Sequence, residues 1–241
     1  MRKFFEIGGV VAAAILIAFG VASIVMASNG QSTVNTSLEA QQIYGTPDMT
    51  PTAIKPEVTA ALAQQKALFA KYQAAGIKAT PSEIKAPSCS VAGDFVNSGE
   101  RARCFAQYMW IHTMGATNGL VYSQMGRYVA LANAPFKVTD GIGGTSDPKY
   151  AATDPKTKQP VNNGRRDLWV TYTALTTALN ASYMASQIAM FGIVVGVALL
   201  LSGFGFGILA IGGALRNPDT SLAFARKWAH KEAGEPAAPA A

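Results

Sequence analysis

Charge is scarce in this chain. Asp, Glu, Lys and Arg make up 14% of its 241 residues, against roughly 25% in ordinary soluble domains. Disorder is excluded as well, because chains that fail to collapse are charge-rich and poor in apolar residues, and 49% of this one is hydrophobic. Histidine occurs only as His112 and His230, and cysteine only as Cys89 and Cys104. No further His or Cys stands at ligand spacing from the cysteine pair, so no metal site is expected. The nucleophile-elbow pattern of hydrolases, the phosphate-binding loop and the dinucleotide-binding glycine pattern are all missing. The sequence therefore names no catalytic residue and calls for no cofactor. Strand-like alternation of useful length is missing too.

What is present is organised by where the charges are not. Residues 7–27 and 188–215 carry none. An apolar run of about 20 residues crosses a hydrocarbon core of about 30 Å, and backbone groups in lipid must be satisfied within the segment, so each run is predicted to be helical. The first run has a rival reading as a cleaved signal, since Arg2 and Lys3 form a basic start and Val25-Met26-Ala27 resembles a cleavage site. Signal cores are about 7–15 residues long, shorter than this run. Neither run holds an ionisable residue, which argues against a proton or ion path.

Lys and Arg flank the outer ends of the two runs: Arg2 and Lys3 before the first, Arg216, Arg226, Lys227 and Lys231 after the second. By the positive-inside rule both termini are expected in the cytoplasm and residues 28–187 outside it, at the cell (plasma or inner) membrane. The cysteines both fall in 28–187, where an oxidising compartment favours a Cys89–Cys104 disulfide. Closing that loop is worth about 3 kcal/mol by chain entropy. The net charge of +6 is carried by basic residues standing singly or in pairs, which excludes nucleic acid as a partner.

The expected fold class is all-α. It comprises a cytoplasmic start (1–6), a first span (7–27), an extracytoplasmic helical bundle (28–187), a second span (188–215) and a cytoplasmic tail (216–241). Within the bundle, helices are predicted over residues 56–75, 100–114 and 120–132, the last two either separate or one kinked helix. The apolar stripe of the 56–75 helix is Val58, Leu62, Phe69 and Tyr72, with Ala61 and Leu68 beside it. Residues 132–166 form a long loop in which Asp140, Asp147 and Asp154 recur every seven residues; turns are the expected role, calcium the alternative. A last helix, capped by Asp167, is expected to run unbroken into the second span.

Small residues are spaced for helix packing. Gly192, Gly196, Gly203 and Gly207 share a face of the second span, and Gly9, Ala13 and Gly20 share one on the first. Such stripes let backbones approach closely in lipid, either within one molecule or toward a protein partner or second copy. In the tail, Trp228 with Arg226, Lys227 and Lys231 suits a helix lying on membrane lipid. A ligand pocket between bundle helices is a candidate near Tyr108, Trp110, His112, Tyr122 and Arg127. No output domain is expected in residues 216–241.

Four blocks carry a resemblance: Glu6-Ile7-Gly8-Gly9, Gly45-Thr46-Pro47-Asp48-Met49-Thr50-Pro51, Arg101-Ala102-Arg103-Cys104-Phe105-Ala106 and Gly212-Gly213-Ala214-Leu215-Arg216-Asn217. In these the chain resembles a family of uncharacterised bacterial two-span membrane proteins, over most of residues 1–217. The resemblance implies the two-span topology. An aromatic-ring-opening dioxygenase label on some members would imply an iron held by a carboxylate and at least two histidines, and residues 28–187 contain one histidine. The expected function is a membrane-anchored, non-enzymatic interaction or accessory protein of the cell envelope. A small-ligand or lipid-binding module and an envelope enzyme are the alternatives.

Overall fold

The computed structural model describes residues 2–135 and 143–212. The chain is all-α, with four helices and no named strand among the described residues: α1 (Arg2–Glu39), α2 (Lys55–Ala74), α3 (Gly99–Ala116) and α4 (Gly164–Ile211). It divides into two compact units, Met1–Gln31 with Ile188–Ala241, and Ser32–Gln187.

In the first unit, α1 and α4 contribute their apolar stretches. Both are long and apolar enough to cross a membrane, with mean hydropathy of 2.7 and 2.4 over the best window. Only 17% of each window is buried. Ala13 lies near Gly203 and Gly207, Gly20 near Gly196, and Ala27 near Gly192. Rising numbers on one helix meet falling numbers on the other, so the pair is antiparallel.

The second unit has its own core, gathered from the end of α1, α2, α3 and the start of α4. Leu38, Ile54, Ala61, Leu68, Tyr72, Val91, Val96, Tyr108, Ile111, Met114, Leu120 and Trp169 are buried together. Pro56 sits in the first turn of α2, where its missing N–H costs nothing. The buried face of α2 is Ala61, Gln65, Leu68, Phe69 and Tyr72, while Leu62 is exposed. The expected stripe is thus rotated toward Gln65, whose amide donates to the carbonyls of Ser82 and Gly119, both at 3.1 Å. α3 opens at Ser98, whose hydroxyl accepts from the Arg101 N–H. The disulfide Cys89–Cys104 ties α3 to the extended segment before it, with Cα atoms 6.1 Å apart.

The helix expected over 120–132 does not form. α3 ends at Ala116, and Asn118 and Gly119 just beyond it are both left-handed, with φ of 54° and 77°. A 3₁₀ turn, Tyr122–Gln124, follows. The chain then runs extended, and Tyr128 exchanges a pair of backbone hydrogen bonds with Thr145, both 2.9 Å. Gly126 explains the choice, since a Cβ there would come within 2.3 Å of the Thr145 backbone. Isolated bridges Ala130↔Ala151 and Thr153↔Pro160 give the long loop further order. Asn163, not Asp167, caps α4: its Oδ1 accepts from the Arg165 N–H while its amide donates to the Gly126 and Gly143 carbonyls. Asp167 lies in the first turn, where a negative charge complements the helix dipole.

Candidate functional site

The chemically richest constellation in the second unit joins three segments far apart in sequence. Asp48 lies in the connector after α1. That connector is pinned by bridges Tyr44↔Phe95 and Gly45↔Ala92. The Thr46 hydroxyl donates to Asp48 Oδ1. This bond holds the Asp48 carboxyl below its ordinary range, opposed in part by burial and helped by the residue's own N–H and by His112. Glu57 sits in the first turn of α2, at the positive end of the helix dipole.

His112 is on α3, 55 residues from Glu57. It is half-buried between the fully buried Ile111 and Thr113. Its Nδ1 stands 3.0 Å from both carboxylate oxygens of Glu57. Its Nε2 stands 3.4 Å from Asp48 Oδ2. Side-chain exposures of 27% for His112, 35% for Glu57 and 43% for Asp48 leave the cluster open to water. Gly115 makes room: a Cβ there would lie 3.1 Å from Glu57 Oε1. Both groups facing His112 are carboxylates, and neither is the nucleophile that an imidazole base would activate.

The other expected pocket residues each have contacts of their own. Tyr108 is fully buried, and its hydroxyl donates to the Cys89 carbonyl at 2.6 Å. Burial raises its pKa. Trp110 lines an open cleft of about 700 Å³ together with Lys85, Arg103, Tyr172 and Asn180. Its Nε1 donates to the Glu83 carbonyl, and its ring meets Trp169 edge-on at 5.5 Å. Tyr122 is taken by Arg166, whose guanidinium lies 4.2 Å above its ring and donates to its hydroxyl at 2.7 Å. Arg127 is exposed. Of the five residues, only Trp110 lines the cleft. Asp147 and Asp154 close turns, accepting from the N–H groups of Lys149 and of Lys156 and Thr157. Asp140 lies outside the described residues.

In the first unit the small residues are spent on the helix pair itself. A Cβ on Gly196 would lie 2.6 Å from Ile24 and 2.8 Å from the Gly20 carbonyl. A Cβ on Gly203 would lie 2.7 Å from Ile17 and 3.1 Å from the Ala13 carbonyl. Gly192 and Gly207 face Ala27 and Ala13, and Gly9 is buried. Ser23 adds a hydrogen bond from its hydroxyl to the Gly192 carbonyl at 2.8 Å. α1 of the same chain therefore packs on the glycine face, closely at Gly196 and Gly203 and more loosely at Gly207, where Val10, Ala13, Gly203, Phe204 and Gly207 line an open apolar cavity. Trp228, Arg226, Lys227 and Lys231 lie outside the described residues.

The pairing of His112 with Asp48 and Glu57 is invisible in the sequence, where no two of the three stand at ligand spacing. The one local hint is Thr46-Pro47-Asp48, a turn that fixes a carboxylate. Compared with protein families, with curated proteins and with solved structures, the chain matches none.

Proposed function

We propose that this chain is a membrane-anchored interaction protein of the cell envelope. Its termini lie in the cytoplasm, and residues 28–187 work outside it by contact with another envelope component. The observation that carries the reading is the bareness of the uncharged stretches of two helices, residues 7–27 of α1 and 188–211 of α4. Phe19, Val25 and Met26 on α1 and Phe191, Leu201 and Ile208 on α4 are all more than half exposed. Leaving so much apolar surface to water is costly, at about 25 cal/mol per Å², and lipid removes the cost.

Three features support the finer statement. The antiparallel pairing of α1 with α4 gives the first span a structural role that a cleaved signal would not have. Basic residues cluster at the outer ends of both spans. The Cys89–Cys104 bridge suits an oxidising compartment. Carbonate extraction of membranes, followed by crosslinking in cells and mass spectrometry, tests the reading. The chain is expected to stay with the membrane and to crosslink to another envelope protein through residues 28–187. A carbonate-soluble chain, or a monomer with no crosslinked neighbour, contradicts it.

A second reading rests on the cleft at Trp110. Aromatic walls with cations (Lys85, Arg103), a carboxylate (Glu83) and amides (Gln107, Asn180) suit a small polar or aromatic ligand. Native mass spectrometry of the detergent-purified chain is then expected to find a bound small molecule that Trp110→Ala loses.

A further inference from the structure

We propose that His112 and Asp48 bind a divalent transition metal, zinc being the first candidate, and that Glu57 holds the histidine ring in place for it. The ligating atoms of Asp48, Glu57 and His112 lie within 4.8 Å of one another. Imidazole nitrogen and carboxylate oxygen are both donors that zinc takes, whereas calcium and magnesium take oxygen alone. No thiolate is at hand to favour a softer ion.

Distances assign the roles. Zinc bonds of about 2.0–2.2 Å to nitrogen and oxygen, at a tetrahedral angle, set two ligands of one ion about 3.4 Å apart. His112 Nε2 and Asp48 Oδ2 are 3.4 Å apart. The opposite ring nitrogen is engaged by both oxygens of Glu57 at 3.0 Å. A metal-ligating histidine ordinarily gives its other N–H to a carboxylate, which fixes tautomer and orientation and raises ligand basicity. Glu57 stands where that carboxylate belongs.

Charge points the same way. Two carboxylates facing one imidazole leave a negative balance that a divalent cation on the Nε2 side compensates. The Thr46 hydroxyl already fixes the Asp48 carboxylate. Water can complete the coordination, since all three side chains are partly exposed. Ligands from the connector and from α3 would make such an ion a second tie between segments that the disulfide does not join.

The test is a zinc titration of the detergent-purified, disulfide-intact full chain against a chromophoric chelator, repeated with cobalt(II) to read its visible absorption. One zinc per chain is expected, with a cobalt band typical of low coordination number. Asp48→Asn and His112→Gln should each weaken binding by more than 10-fold and remove the band. Glu57→Gln should weaken it by about 10–100-fold, the range for an orienting carboxylate. His230→Ala, a control at the other histidine, should change nothing. Circular dichroism on each variant separates lost binding from lost folding, and the conservative Asp48→Asn keeps the test open if a His112 variant fails to fold. Absence of stoichiometric zinc binding overturns the proposal. So does binding that folded Asp48→Asn and His112→Gln variants retain.

Discussion

At Gly45 the backbone leaves no space for a side chain. A Cβ there would lie 1.7 Å from the Val91 carbonyl oxygen, and the residue is fixed by bonds from its own N–H to Asp94 and from Gly93 N–H to its carbonyl. The contact is with backbone, so no rotamer change relieves it. Gly45→Ala is expected to cost at least about 3 kcal/mol, the upper part of the range for overpacking, and to lower the thermal midpoint of the detergent-purified chain by several degrees. An unchanged midpoint would show that the connector is free to shift.

Asp154 makes a second prediction at this scale. The N–H groups of Thr157 and Lys156 donate to its ionised carboxylate, and these bonds hold its pKa below the ordinary 3.8. A depressed folded pKa means that this turn contributes stability above the ordinary value, and that the contribution is lost as pH falls through the folded one. Carboxyl carbon chemical shifts should give a midpoint under 3.8, and Asp154→Ala should abolish protection of the Thr157 amide. A midpoint at or above 3.8 would remove the turn's electrostatic support.

Among the elements, those ruled by one strong local signal were legible in the sequence. α2 has proline at its start and Gly76, with φ of 71°, just past its end. α1 and α4 follow from uninterrupted apolar runs. Legibility failed where long-range contacts outweigh local pattern. Residues 120–132 have helical spacing of Val121, Met125 and Tyr128, yet Gly126 packs on Thr145 and turns the segment extended. Leu62 reads as core, but Gln65 takes the inward position because two backbone carbonyls need its amide. The same holds for the site: His112 was visible as a residue, but the carboxylates facing it come from other elements, and no spacing rule reaches across 55 residues.

The helix pair gives a prediction with a built-in control. Leucine at Gly196 or Gly203 meets helix α1 within 3 Å, whereas Gly205, on the same helix, has nothing within 4 Å. Gly196→Leu and Gly203→Leu are expected to separate α1 from α4, reading as lost disulfide crosslinking between cysteines placed at Ala27 and Gly192. Gly205→Leu is expected to crosslink as the parent does. Equal crosslinking in all three would mean that the glycine face does not set the packing.

For the whole molecule, one physical logic joins the two units. The charges withheld from the spans are not returned to the rest of the chain: residues 28–187 hold only 14 basic and 10 acidic side chains. A domain with so sparse a charged surface is suited to contact, with a membrane, a partner or both, more than to free solution. This accords with the proposed anchoring by two helices that expose apolar faces and with the proposed oxidising surroundings of the Cys89–Cys104 bridge.

The orientation proposed for residues 28–187 is the claim most directly open to measurement. Single cysteines placed at Lys156, in the exposed loop, and at Lys227, in the tail, are to be treated with a membrane-impermeant maleimide in spheroplasts, before and after lysis. The account predicts that Lys156→Cys is labelled in intact cells and Lys227→Cys only after lysis. Protection of Lys156→Cys until lysis, or labelling of Lys227→Cys from outside, would contradict it.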